Sequence, residues 1–369
     1  MESWERLELH PRLGAAVRRA KLKSIRDVLT VSGPDLQRLT GLSRSDVQHL
    51  LHAAATACRA HAPVPALLLS RGECGRLDPG LRLSLACPVL DGLLRGGLPV
   101  GVSELAGPSG AGKSQLALQL CLAVQYPPRH GGLDAGAVYI CTEDSFPIRR
   151  LQQLISQQAS LRAELPPDVI SSIRFSDNVY IEHAADLAAL QACVTRRVPL
   201  LLARGVARLL VVDSVAALFR SDFQAADWLE RTQQLLKFST ALQRLSHEYN
   251  TPVLCVNQVT DVLGGSELPP CSLSMLNTKV SPALGLAWAN QVLVRLMMVR
   301  LQGSVAVGDQ HSAPRRLEVL FAPHLPRAAC TCAVWREGVR GLTHTTDMTD
   351  THTHTHTHTH THTQSADVS

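Results

Sequence analysis

Eight residues, Gly107-Pro108-Ser109-Gly110-Ala111-Gly112-Lys113-Ser114, constrain this chain more than any other stretch. They fit G-x-x-x-x-G-K-[ST], the spacing of a loop that wraps a phosphate. Glycines let the backbone curl until successive N–H groups point inward at an anion. Lys113 brings positive charge to β and γ oxygens, and Ser114 offers a hydroxyl to Mg²⁺, which takes hard oxygen ligands. Gly112 and Lys113 open a helix whose dipole favours negative charge at that end. Residues 100–106 read as a short buried strand. Residues 114–125 (SQLALQLCLAVQ) read as an apolar helix stopped by Pro127 and Pro128. Strand, loop and helix in that order are the setting such a loop requires, so all eight residues are expected to bind a nucleotide.

The stretch beyond the loop repeats one theme. Residues 136–142 (GAVYICT), 206–213 (VARLLVVD) and 252–257 (PVLCVN) are apolar throughout, as strands buried on both faces are. Between them, residues 147–158, 185–197 and 228–249 carry helical spacing. Residues 288–299 and 316–321 read as further strands. Strands alternating with helices predict an α/β core, a mostly parallel sheet with helices on both faces. Ligands then sit at the C-terminal strand ends. Three polar residues fall there. Asp213 ends one strand and is expected to hold Mg²⁺. Glu143 follows another, where it can polarise an attacking water. Gln258 follows a third, where an amide can sense the γ-phosphate and pass the change onward.

The flanks differ in kind. Residues 1–62 read as a small all-α domain, with ten basic residues against six acids, most of the net charge of +5. Leu39-Thr40-Gly41-Leu42 is a hairpin signal between two short helices, and Ser43 can cap the second. A helix-hairpin-helix of this kind offers backbone N–H groups and cations to DNA phosphates. Residues 63–80 are a Pro/Gly-rich linker, expected to lack regular structure. Its apolar part, residues 64–69, invites burial against a partner as an added edge strand. Residues 81–342 form the core. Residues 343–369 carry a Thr-His repeat with no hydrophobic face, expected to be disordered. No apolar run reaches the length of a membrane span, and the first residues lack the basic and apolar regions of a signal peptide. The cysteines lie mostly in apolar stretches, as reduced core thiols do.

The set GPSGAGKS, YICTEDSFPIRRL, LLVVDSVAALFRSDF and VLCVNQV resembles the RecA/RadA recombinases. The helical unit with LTGLS is similar to that of the archaeal and eukaryotic branch. CPVLDGLLRGGLP, VSPALGLAWANQ and FAPHLP resemble one eukaryotic paralogue within it. The resemblance implies a RecA-like core joined to a helix-hairpin-helix-type domain. It implies ATP and Mg²⁺ as cofactors and catalytic parts for Glu143, Lys113 and Gln258, with Ser114 and Asp213 on the metal. Arg220 and the residues to 223 fall where the first DNA loop lies, and residues 259–280 where the second lies.

The family also implies homologous recombination repair of double-strand breaks and crosslinks. It implies binding to single-stranded and branched DNA, including Holliday junctions, and a location in the nucleus, with some protein in cytoplasm and mitochondria. Two departures bear on assembly. Phe321 stands where the family has an acid in the cap over a neighbour's ATP, and the linker lacks the aromatic plug of the homopolymers. The expected partners are therefore a different recombinase paralogue, lettered C, in a heterodimer, and the main recombinase filament. A hexameric helicase-type motor, or an ATP-binding scaffold with little turnover, would use the same core.

Overall fold

The computed structural model describes residues 10–20, 22, 25–58, 65–71, 81–143, 145–221, 227–261 and 280–342. The Thr-His tail, residue 64 of the expected docking segment and most of the expected second DNA loop lie outside those residues. The chain divides into two compact units, Met1–Pro79 and Gly80–Ser369.

The first unit is helical: Pro11–Arg19, Ile25–Thr30, Gly33–Thr40 and Arg44–Cys58. Ser32 caps the third helix by accepting the Asp35 N–H, and Ser43 caps the fourth by accepting the Asp46 N–H at 3.1 Å. Between them Gly41 takes φ +67°, the left-handed conformation that ends a helix and turns the chain. Apolar residues at helical spacing meet in a small core of Val17, Ile25, Val28, Leu36, Val47 and Leu50. One expectation fails in the linker. Ala66–Ser70 is a helical turn, not extended chain. Leu68 N–H donates to the Pro65 carbonyl at 3.0 Å, so Pro65 stands at the helix start, where it is tolerated, and the leucines after it favour helix.

The second unit is built on a nine-stranded sheet. In chain order its strands are β1 (Gly101–Ala106), β2 (Gly136–Cys141), β3 (Val179–His183), β4 (Ala207–Asp213), β5 (Pro252–Asn257), β6 (Val294–Arg300), β7 (Arg315–Phe321), β8 (Ala329–Val334) and β9 (Val339–Gly341). Across the sheet they run β9-β8-β7-β6-β1-β5-β4-β2-β3. The six from β6 to β3 pair in parallel, and β7, β8 and β9 extend the sheet antiparallel. The central strands are buried on both faces. One face packs on the helix Lys113–Ala123 and its neighbours. The other packs on the helices of residues 187–203 and on Val215–Ser221, Trp228–Glu248 and Trp288. The strand expected over 288–299 starts later. Gly285–Ala289 is a helical turn that buries Trp288, and only Val294–Arg300 is extended.

The helix after the loop is apolar all round because it is covered all round; every residue from Leu116 to Ala123 is buried. Gln119, its buried polar member, is a stitch. Its amide nitrogen donates to the carbonyls of Leu85 and Val339 at 2.6 and 3.1 Å, and its oxygen accepts the Val339 N–H at 2.7 Å. The chain comes so close that a Cβ on Gly338 would overlap the Gln119 amide oxygen.

Candidate nucleotide site

Parallel strands all end on one side of the sheet, so residues far apart in sequence converge there. β1 runs into the glycine loop. Asp213 is the last residue of β4, Glu143 follows β2, and Gln258 follows β5. All three line one cavity of about 1010 Å³ together with Gly107, Lys113 and Ser114.

The loop is held by contacts that only glycine allows. A Cβ on Gly107 would overlap the Met298 carbonyl oxygen, and one on Gly112, at φ +106°, would lie 3.1 Å from the Arg315 guanidinium. Gly110, at φ +71°, has open space above it. Lys113 Nζ donates to the carbonyls of Gly107 and Pro108 at 2.7 and 2.8 Å. Burial pulls its pKa below the usual lysine value, and the carboxylates of Asp213 and Glu143 pull it back up. Ser114 Oγ donates to Asp213 Oδ2 at 2.6 Å, which puts two hard oxygens side by side. An open glycine cradle, a half-buried ammonium and a hydroxyl-carboxylate pair are a donor set that fits a nucleoside triphosphate with a divalent ion.

The remaining polar residues form a chain. Glu143 Oε1 accepts from Ser214 Oγ and, at 2.8 Å, from Gln258 Nε2. Gln258 Oε1 accepts from Arg220 at 3.1 Å. Thr142 fixes Ser214 by donating to its carbonyl at 2.6 Å and accepting its N–H at 2.8 Å. The structure therefore brings together the predicted Lys113, Ser114, Glu143, Asp213 and Gln258, and joins Arg220 to them through Gln258. Pro108, Ser109, Gly110 and Gly112 line the same cavity, while Ala111 is buried beneath the loop. Residues 222 and 223, the end of the expected first DNA loop, lie outside the described residues.

Other contributors escape a reading of the sequence. Tyr139 donates to Asp213 Oδ2 at 2.5 Å from inside β2, and burial, then the Asp213 charge, push its phenol pKa up. Burial likewise raises the Cys141 thiol to about 11. Arg150 donates to Gln115 at 2.6 Å and to the Trp335 carbonyl at 2.7 Å. Arg315 grips the Ala111 carbonyl at 2.9 Å. Glu104, fully buried in β1, accepts from Asn257 at 2.6 Å and Trp288 at 2.9 Å, and pairs with Arg295 at 2.6 Å. Asn257 in turn accepts the Gln258 N–H at 2.8 Å. The available signals were polar residues in otherwise apolar strands: Tyr139 in GAVYIC and Glu104 in GVSELA.

Comparison with known proteins gives these residues a context. Residues 79–342 match the Rad51 family, and residues 4–58 match the XRCC3/RpoA-like helix-hairpin-helix domain. The chain is 55% identical to the DNA repair protein XRCC3 of Bos taurus and 52% identical to that of Mus musculus. Each alignment covers 92% of this chain and 98% of the relative. It is 28% identical to the DNA repair protein rhp57 of Schizosaccharomyces pombe, over 85% of this chain and 91% of that one. A family match over residues 79–342 and identities above one half along nearly the whole chain show that the chain belongs to the Rad51 family, in the group that carries the XRCC3 proteins.

Proposed function

We propose that the protein binds ATP with Mg²⁺ at this loop and works in the nucleus in homologous recombination repair. In this reading it binds single-stranded and branched DNA as half of a heterodimer with another recombinase paralogue and assists the main recombinase filament. The observation that carries the reading is the convergence of Lys113, Ser114, Glu143, Asp213 and Gln258 in one cavity of a Rad51-family core.

The loop N–H groups and Lys113 would hold the phosphates, with Lys113 exchanging its two carbonyl partners for phosphate oxygens. Ser114 and Asp213 would hold the metal, which supplies charge neutralisation to the phosphates when bound. Glu143 takes a proton from water at its carboxylate, oriented by Ser214 and Gln258. Gln258 carries a change in that orientation to Arg220 and, through Asn257, to Ala283, whose carbonyl accepts from Asn257 at 2.9 Å just past the expected second DNA loop.

Phe321 favours a second reading, an ATP-binding subunit with little turnover. It ends β7, is 53% exposed, and cannot make the polar contact an acid would make at that place. Labelled-ATP binding and phosphate release, measured with and without single-stranded DNA, test both. Lys113→Ala should remove most ATP affinity, and binding equal to wild type would overturn the site. DNA affinity should fall steeply as salt rises; a flat response would remove basic residues from the DNA contact.

A further inference from the structure

The ladder between β6 and β7 reaches its last pair at Arg300 and Arg315, and the Leu301 N–H closes it on the Pro314 carbonyl at 2.8 Å. Two strands that close need only a short turn between them. The chain makes a hairpin of its own instead, pairing Val305 with Ser312, Ala306 with His311 and Val307 with Gln310. We propose that this hairpin is the wall of a nucleoside subsite, against which the ribose and base of the bound nucleotide lie. The inference rests on the reading of the glycine loop as the phosphate site.

Three observations carry it. First, Asp309, Gln310 and His311 line the same cavity as the glycine loop.

Second, the hairpin is fastened. Val305 is buried with Ala333 and Trp335. Gln310 Oε1 accepts the Arg336 N–H at 2.7 Å, and Gln310 Nε2 donates to Glu337 at 3.1 Å. Asp309 pairs with Arg336 at 2.9 Å. Arg315 holds the Ser312 hydroxyl at 3.2 Å and the Ala313 carbonyl at 2.6 Å while its Nε holds the Ala111 carbonyl, so one guanidinium ties hairpin to loop.

Third, the sheet order gives the nucleotide a direction. Glu143, Asp213 and Gln258 stand at the ends of β2, β4 and β5, on one side of β1. The hairpin joins β6 to β7, and Trp335 and Arg336 follow β8, on the other side. A nucleotide with its γ-phosphate toward the first group extends its nucleoside toward the second, and the cavity is large enough for a whole nucleotide.

The test compares two ligands that share phosphates and differ in the nucleoside: ATP and inorganic tripolyphosphate, each competed against a fluorescent ATP analogue. Asp309→Ala removes an exposed rim carboxylate, and Gln310→Ala removes the fastening to Arg336 and Glu337. In both, ATP affinity should fall about tenfold, the worth of one or two lost hydrogen bonds, while tripolyphosphate affinity stays within about twofold. Unchanged ATP affinity in both variants overturns the subsite. Equal loss for both ligands also overturns it, because the hairpin then acts through the glycine loop alone. Lys113→Ala is the parallel arm. If it leaves tripolyphosphate binding unchanged, the phosphate site itself is overturned and the subsite with it; if it abolishes that binding while the hairpin variants bind ATP normally, only the subsite falls.

Discussion

The amide nitrogen of Gln258 lies 2.8 Å from the Glu143 carboxylate, so two residues 115 positions apart form one hydrogen-bonded unit at the edge of the cavity. Glu143→Gln keeps the shape and removes the basic oxygen. Turnover should fall at least about 100-fold, with ATP affinity within about threefold. Gln258→Ala leaves the carboxylate with Ser214 as its remaining donor among the described residues, and turnover should fall about tenfold. Phosphate release and equilibrium binding read the two quantities separately; loss of affinity in step with turnover would make Glu143 a binding group.

Lys113 sets an alkaline limit. Burial is the larger influence on it and holds its pKa below the ordinary 10.5. The folded protein therefore sheds this proton at a lower pH than the unfolded chain does. The destabilisation from burying the charge is present at neutral pH and is relieved as pH rises through the window under 10.5. ATP binding needs the charged form, so affinity should decline in that same window. Lys113→Arg stays charged throughout it, and titration calorimetry from about pH 7 to about pH 10 should show the decline only in wild type.

Glu104, fully buried, and Arg295, partly buried, form a pair whose members fail separately. Removing one partner should cost about 3–5 kcal/mol of stability in urea unfolding, because Glu104→Ala also strands the donors of Asn257 and Trp288. The double variant Glu104→Met, Arg295→Leu should be less destabilised than Glu104→Ala. A double variant at least as unstable would mean that Asn257 and Trp288 matter more than the ion pair.

Tyr139→Phe deletes a single donor to Asp213 and leaves the ring packed on Phe146. Stability should fall by about 1 kcal/mol, a melting shift of about 2–4 °C for a unit of this size. An unshifted melt would show that Ser114 satisfies Asp213 alone.

Much of this could be read from local order. The loop, the buried strands before Glu143, Asp213 and Gln258, and the hairpin at Gly41 all announce themselves within a few residues. Their chemistry depends on neighbours in the chain, on glycine conformation and on apolar runs. What stayed hidden depends on distance. Gln119 meets a residue 220 positions away, Arg150 one 185 away and Arg295 one 191 away. No local pattern encodes such pairings; only the strand order creates them. The linker misled for the opposite reason. Pro65 reads as a breaker, yet at the first turn of a helix it is compatible with one.

The stitch at Gln119 has a consequence for how this gene can be shortened. Its amide sits on the helix that carries the phosphate loop, but its partner, Val339, arrives almost at the end of the folded core. A ribosome must reach that strand before the helix has a full set of hydrogen bonds. A stop codon ahead of Val339 would leave the Gln119 amide oxygen without its donor, and its nitrogen with the Leu85 carbonyl alone, in an apolar interior, a penalty of about 1–3 kcal/mol for the stranded oxygen. It would also take β9 from the sheet. Premature termination there should therefore give a protein that degrades, not a shortened one that still holds nucleotide.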